Sequence, residues 1–269
     1  MAPVGSYESL SSAIKAGANS VYFGIEQLNM RSRSAANFTI KDLKKIADIA
    51  TKADVKTYLT VNTIIYNNDI KLMKQILDTA KSSGISAVIA CDVAVINYAN
   101  EINLEVHMST QTNISNIEAV KFYSKYADVI VLARELTLEQ IKHICDEIKK
   151  QKILGPSGKL VEIEIFVHGA LCVSISGKCY MSLHQYNSSA NRGACYQACR
   201  RKYRVMDDET GDELVVDNQY IMSPKDLCTI QYIDKLIESG VSVFKIEGRG
   251  RSADYVYTVV KAYKEAVEL

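Results

Sequence analysis

No apolar run in the 269 residues approaches the roughly 20 residues a helix needs to cross a bilayer, which excludes a helical membrane span. No leader of the charged-then-apolar type opens the chain. The Asn-Xaa-Ser/Thr patterns at Asn37, Asn113 and Asn187 are therefore read as chance, and a reducing, cytoplasmic setting is expected. Protease signatures are missing as well: there is neither a His-Glu-Xaa-Xaa-His zinc helix nor a Gly-Xaa-Ser-Xaa-Gly elbow. Gly155-Pro-Ser-Gly-Lys159 has the wrong spacing for a phosphate loop, and no glycine-rich first turn marks a dinucleotide fold. Charge of one sign is lacking too. With 32 Lys and Arg against 31 Asp and Glu, attraction for an anion has to be local.

What is present is cysteine in one place. Cys172, Cys179, Cys195 and Cys199 fall within 28 residues, and Cys228 follows. At 48% apolar and 23% charged residues, the chain buries a full core without cross-links. Clustered thiols in a chain without an export signal read as metal ligands or redox groups rather than disulfides. Basic residues crowd the same stretch: Arg192 precedes Cys195, and Arg200, Arg201, Lys202 and Arg204 follow Cys199. Such a local basic surface suits an anionic substrate or nucleic acid.

Short β-rich runs alternate with amphipathic helical patterns. The runs lie at 20–23, 56–61, 87–90, 104–108, 128–132, 161–167 and 241–246, and several are almost wholly apolar, as strands covered on both faces are. Between them, rows such as Ile40, Leu43, Ile46, Ala47, Ala50 and Leu138, Ile141, Ile144, Cys145, Ile148 repeat at helical spacing, the second behind a Thr137–Gln140 capping box. Ser223 and Pro224 read as the start of another helix carrying Leu227, Ile230, Ile233 and Ile237. The pattern predicts a single α/β domain over 1–269, a TIM-like (β/α)8 barrel with its first strand largely missing; an open doubly wound sheet is the alternative. Between strands 7 and 8 a Cys-rich insertion, about 168–223, carries a β-hairpin at 202–206 and 213–216. It leaves the C-terminal end of strand 7, the active-site face of a barrel.

Four thiolates suit either zinc or an iron–sulfur cluster, and only Cys195-Xaa3-Cys199 has a spacing typical of structural zinc. Around the same mouth, strand ends offer His107, His168, Glu164 and Glu247 as catalytic candidates, and Asn62, Arg134, Arg249 and Arg251 for binding substrate. Glu164 and Glu247 alternate with apolar neighbours and point inward, where each needs a partner such as Lys245 or Arg134. A Cys–His hydrolase built on Cys172 and His168 is a further reading, which leaves the other cysteines unexplained.

His168-Gly-Ala-Leu-Cys172, Ser174-Ile-Ser-Gly-Lys-Cys179, Arg192-Gly-Ala-Cys195, Ser223-Pro-Lys-Asp-Leu-Cys228 and Lys245-Ile-Glu-Gly-Arg249 resemble the collagenase-like peptidase family thirty-two, of unknown catalytic type. The likeness also takes in Ala2-Pro-Val-Gly-Ser, 16–24, Leu28-Asn-Met-Arg31 and 255–263. It implies an iron–sulfur protein supporting oxygen-independent hydroxylation. One branch acts on the tRNA wobble uridine with prephenate implicated, another on a ribosomal RNA cytidine, a third as a paired complex in anaerobic ubiquinone synthesis. It also implies a 4Fe-4S cluster on Cys172, Cys179, Cys195 and Cys228, with Cys199 as the alternative fourth ligand. The resulting expectation is hydroxylation of the tRNA wobble uridine to 5-hydroxyuridine, with tRNA or other RNA and a small anion such as prephenate as partners. Quinone-precursor hydroxylation with a related partner chain, a collagenase-like hydrolase, and a non-catalytic zinc-stabilised binding barrel are the alternatives. The tRNA-type members continue into a further C-terminal domain, so this chain is read as a fragment or a shorter member.

Overall fold

The computed structural model describes residues 1–33, 37–214, 222 and 225–269. Seven strands in sequence order lie side by side: β1 (Ala2–Pro3), β2 (Ser20–Phe23), β3 (Lys56–Val61), β4 (Ala87–Ala90), β5 (Glu105–Met108), β6 (Val129–Val131) and β7 (Glu162–Gly169). All these neighbours are parallel. Two short strands, β8 (Val205–Met206) and β9 (Glu213–Leu214), form a separate hairpin; β10 (Leu227–Cys228) and β11 (Val243–Ile246) both pair with β7.

Helices cover the outside: α1 (Tyr7–Lys15), α2 (Leu43–Lys52), α3 (Ile70–Ser83), α4 (Val93–Glu101), α5 (Ile117–Tyr123) and α6 (Leu138–Gln151). A six-residue α7 (Met181–Tyr186) lies in the insertion, and α8 (Ile233–Glu238) and α9 (Ala253–Glu268) end the chain. The helical spacing holds. Leu43, Ile46, Ala47 and Ala50 of α2, and Ile141, Ile144, Cys145 and Ile148 of α6, are buried on their strand-facing sides. The capping box of α6 is formed, Thr137 N donating to Gln140 Oε1 at 2.8 Å and Gln140 N to Thr137 Oγ1 at 3.4 Å.

The first strand is as abbreviated as expected, two residues long. Ala2 and Pro3 pair with Val21 and Tyr22, and Val4 N donates to Tyr22 O at 3.0 Å. On the other side Ile246 N donates to Met1 O at 3.1 Å and the Met1 amine to Phe244 O at 2.7 Å. Two residues thus suffice to bridge β2 and β11, because a strand of the barrel needs only to satisfy the main-chain groups of both neighbours. The sheet curls until its ends meet there.

The helix expected from Ser223 is revised. Ser223 and Pro224 lie outside the described residues, and Leu227 and Cys228 are strand, antiparallel to Gly169 and His168. Thr229 N continues this by donating to Val167 O, so the backbone here is committed to β7 and α8 starts only at Ile233. The hairpin stands as expected over 205–206 and 213–214. Asp207 Oδ1 accepts from Glu209 N and Thr210 N in its turn, and expected strand residues 215–216 lie outside the described residues.

Candidate active site

Strand ends and insertion converge on one cavity at the C-terminal face of the barrel. Its floor comes from Tyr22 of β2, Thr60 and Asn62 at the end of β3, Phe166 of β7, and Lys245, Glu247 and Arg249 in and after β11. Arg31 and Arg134 close the sides, and Cys172, Cys179, Cys195 and Cys199 form the roof.

Three guanidinium groups surround one carboxylate here. Arg31 Nη2 lies 3.2 Å from Glu247 Oε1, and Tyr22 donates its hydroxyl to Glu247 Oε2 at 3.2 Å. Burial pushes the Glu247 carboxyl up, but Arg31, Arg249 and Arg134 outweigh it and hold it below the usual range. Arg249 Nη1 donates to Asn29 Oδ1 at 3.1 Å and Thr60 Oγ1 at 2.9 Å, while its Nε has no partner among the described residues. Gly24 makes room for that packing: a Cβ there would lie 2.7 Å from both Arg249 Nη1 and Asn29 Cγ. Arg134 stacks over Phe166 at 4.1 Å, its Nε likewise buried and unpartnered among the described residues. Burial lowers the proton affinity of both Arg134 and Arg249, and both remain charged. One carboxylate does not balance three cations, so the cavity suits an anion.

The sequence-derived candidates separate into three places. Asn62, Arg134, Glu247 and Arg249 line the cavity; Asn62 Oδ1 accepts from Met30 N at 3.2 Å. Glu164 and His107 lie deeper, in the barrel interior. Glu164 is fully buried with Lys245 Nζ at 2.6 Å from its Oε1; His107 Nδ1 stands 4.0 Å from its Oε2, and His107 Nε2 is 3.0 Å from Glu105 Oε1. These two are packed beneath Lys245 rather than open to the cavity. His168 and Arg251 lie elsewhere. His168 faces the rings of Tyr255 and Tyr263 on α9, and Arg251 pairs with Asp226 at 2.9 Å. A register shift explains His168: Lys245 pairs with Phe166 but Ile246 with His168, so β7 carries one extra residue and its facing reverses. The expected strand-end role for His168, and with it a Cys172–His168 pair, is therefore not what the geometry offers.

Cys172, Cys179, Cys195 and Cys199 share the roof closely enough to interact electrically. Burial raises the Cys199 thiol first, and the charges of Cys172, Cys195 and Cys179 add to it, against Arg200. Cys228 sits apart on β10, exposed and opposite His168. The fourth sulfur at the cavity is thus Cys199, where the family resemblance pointed first to Cys228. Four soft thiol donors around one space fit a sulfur-ligated group in kind. Among the described residues no three His, Cys, Asp or Glu side chains are arranged to hold a single metal ion. Arg31, Tyr22 and Lys245 were not singled out as site residues by sequence reasoning, although Arg31 closes the quoted Leu28-Asn-Met-Arg31 segment and Lys245 opens another.

Residues 5–269 match the sequence profile of peptidase family U32. The chain is 63% identical over 268 residues to a protein of Porphyromonas gingivalis named collagenase, covering 100% of the chain and 65% of that protein. It is 34% identical over 275 residues to the tRNA hydroxylation protein P1 of Bacillus subtilis, covering 100% and 62%. To a 23S ribosomal RNA 5-hydroxycytidine synthase of Escherichia coli it is 34% identical over 257 residues, covering 95% and 37%. The chain therefore spans less than two thirds of the length of these relatives. A thiamine phosphate pyrophosphorylase from Pyrococcus furiosus superposes with a TM-score of 0.51 at 13% identity, over 97% of this chain and 88% of that one, a likeness of fold alone. No helix among the described residues is long and apolar enough to cross a membrane.

Proposed function

This chain belongs to peptidase family U32, and from that premise we propose that it is the barrel of an iron–sulfur enzyme that hydroxylates RNA, with the tRNA wobble uridine as its target. The observation that carries the reading is the meeting of four thiols and three arginines at one cavity. Cys172, Cys179 and Cys195 would hold the cluster, with either Cys199 or Cys228 as the fourth ligand. A 4Fe-4S group supplies electron transfer or a binding point for the hydroxyl donor. Cys172, Cys179, Cys195 and Cys199 line one cavity together, as a group held by several sulfurs requires.

The chain's own residues do the rest. Arg134 and Arg249, which line the cavity and whose Nε atoms have no hydrogen-bond partner among the described residues, bind and orient a small carboxylate such as prephenate. Tyr22 and Arg31 hold Glu247 ionised, and Glu247 in turn keeps Arg31 turned toward the cavity.

The 63% identity to a protein named collagenase favours a second reading, a hydrolase. Quinone-precursor hydroxylation with a partner chain and a zinc-stabilised binding barrel are the remaining ones. Anaerobically purified protein should carry about four iron and four sulfide per chain, with a broad visible band. A deletion strain should lack 5-hydroxyuridine and its derivatives in tRNA. Stoichiometric zinc without sulfide after attempted reconstitution would overturn the cluster. Loss of quinone with intact tRNA would move the substrate, and release of peptides from gelatin would establish the hydrolase.

A further inference from the structure

A second groove opens beside the cavity and shares Arg31, Gln197 and Glu247 with it. Its walls bring Arg200, Arg201 and Arg251 together with Tyr196. The local acids are already engaged: Glu247 by Arg31, and Asp226 by both Arg200 at 3.6 Å and Arg251 at 2.9 Å. Arg33 and Arg201 have no carboxylate partner among the described residues and instead hold tyrosines. Arg33 Nη1 donates to the Tyr196 hydroxyl at 3.2 Å, and the Arg201 guanidinium lies over the Tyr186 ring at 4.8 Å while bonding its hydroxyl. The Tyr186 and Tyr196 rings are 5.1 Å apart, tilted by 46°, and remain 38% and 44% exposed. Basic side chains thus fix two partly open aromatic faces at the edge of a cationic channel. That combination recognises a single-stranded nucleic acid: phosphates take the guanidinium groups and bases stack on the rings.

We propose that this groove is the RNA track of the enzyme: Tyr196, backed by Tyr186, stacks a base neighbouring the target nucleotide, and Arg200, Arg201 and Arg251 hold its phosphates. The inference rests on the RNA reading above and adds where the strand lies. Because the groove merges with the cavity at Arg31 and Glu247, a strand in it delivers the adjacent nucleotide to the arginines and thiols.

The test is fluorescence anisotropy with a labelled single-stranded RNA of about eight nucleotides, within the usual site size. Tyr196→Ala should weaken binding roughly tenfold, and Tyr196→Phe should retain it, since stacking needs the ring and not the hydroxyl. Arg201→Gln should lower the slope of log affinity against log salt by about 0.7, one phosphate contact on a single strand, whereas Tyr196→Ala should leave that slope unchanged. Iron content and melting temperature, read on each variant, separate these effects from misfolding. Equal binding by wild type, Tyr196→Ala and Arg201→Gln overturns the track, as does absence of RNA binding or displacement of the probe by gelatin but not by unlabelled RNA. A deletion strain lacking the hydroxylated nucleoside while Tyr196→Ala binds normally would remove this track and leave the hydroxylation reading standing.

Discussion

Cysteine has opposite surroundings in the barrel body and in the insertion. In the body, Cys145 is buried on α6, and Cys91 at the end of β4 donates to Asn62 O at 3.2 Å. Burial pushes their thiols up to about 11 and about 12. In the insertion Cys172 is exposed and Cys179, Cys195 and Cys199 are partly open. The scaffold differs in the same sense. The body has helices of up to 16 residues packed on a continuous sheet, whereas the insertion has a six-residue helix, short turns and two-residue strands. Segments with so little apolar burial usually depend on cross-bridging for their shape. The body is stable by packing, and the proposed cluster would add order to the insertion through its sulfurs.

The strongest way to break this contrast is inside the barrel. Glu164→Ala leaves Lys245 buried without its partner, and should cost about 3–5 kcal/mol in urea unfolding. In apo protein Cys179→Ala should stay within about 0.5 kcal/mol of wild type. Comparable losses in both would show that the insertion is part of the barrel's cooperative core.

Thiol chemistry sharpens the comparison next. The rise of Cys91 from 9.0 to about 12 leaves roughly a thousandfold less thiolate, so peptide mapping after alkylation at pH 8 should find Cys172 and Cys228 modified long before Cys91 or Cys145. Anaerobic loading with iron and sulfide should then protect Cys172, Cys179 and Cys195. Whichever of Cys199 and Cys228 becomes protected with them is the fourth ligand. Protection of Cys228 would require β10 to turn its sulfur toward the cavity.

Hydrogen exchange gives a smaller contrast. Stripping the proposed cluster with a chelator should raise amide exchange across 170–203 several-fold and leave β2 to β6 unchanged, since the insertion lacks a core of its own. Uniform exchange in both states would mean the insertion is ordered without help.

The smallest effect is at His168. Burial lowers its proton affinity in the folded chain, partly offset by Asp226. Below about pH 6.5 the unfolded chain therefore binds more protons, and stability present above that pH is lost as the pH falls through it. His168→Gln should flatten this part of the stability–pH curve by a few tenths of a kcal/mol, the side chain being partly solvated. The held-down carboxyl of Glu247 acts in a separate, more acidic window, where stability present above the unfolded carboxylate value is lost as protons reach it.

Much of this was legible in the residue order. Alternation of apolar runs with amphipathic rows marked every long strand and the helices at 43–52 and 138–151, because burial on a strand face or helix stripe is a periodic demand. The crowding of cysteines and arginines marked the insertion. The misjudged element is one where a few backbone bonds decide. Leu227 and Cys228 look helical until β7 claims their main chain.

The site divides along the same line. Residue order by itself determined the α/β architecture, the place of the cysteine insertion at the active-site face, and the need of Glu164 and Glu247 for cationic partners. Only the tertiary structure decided that Arg31 rather than Lys245 meets Glu247, that Lys245 goes to Glu164, and that Cys199 rather than Cys228 reaches the cavity. It also turned His168 outward through a single extra residue in β7. Periodicity reports which face of its own element a side chain occupies. Partners from segments 216 residues apart, such as Arg31 and Glu247, are set by strand register and barrel closure, and one residue of slip reverses every facing beyond it.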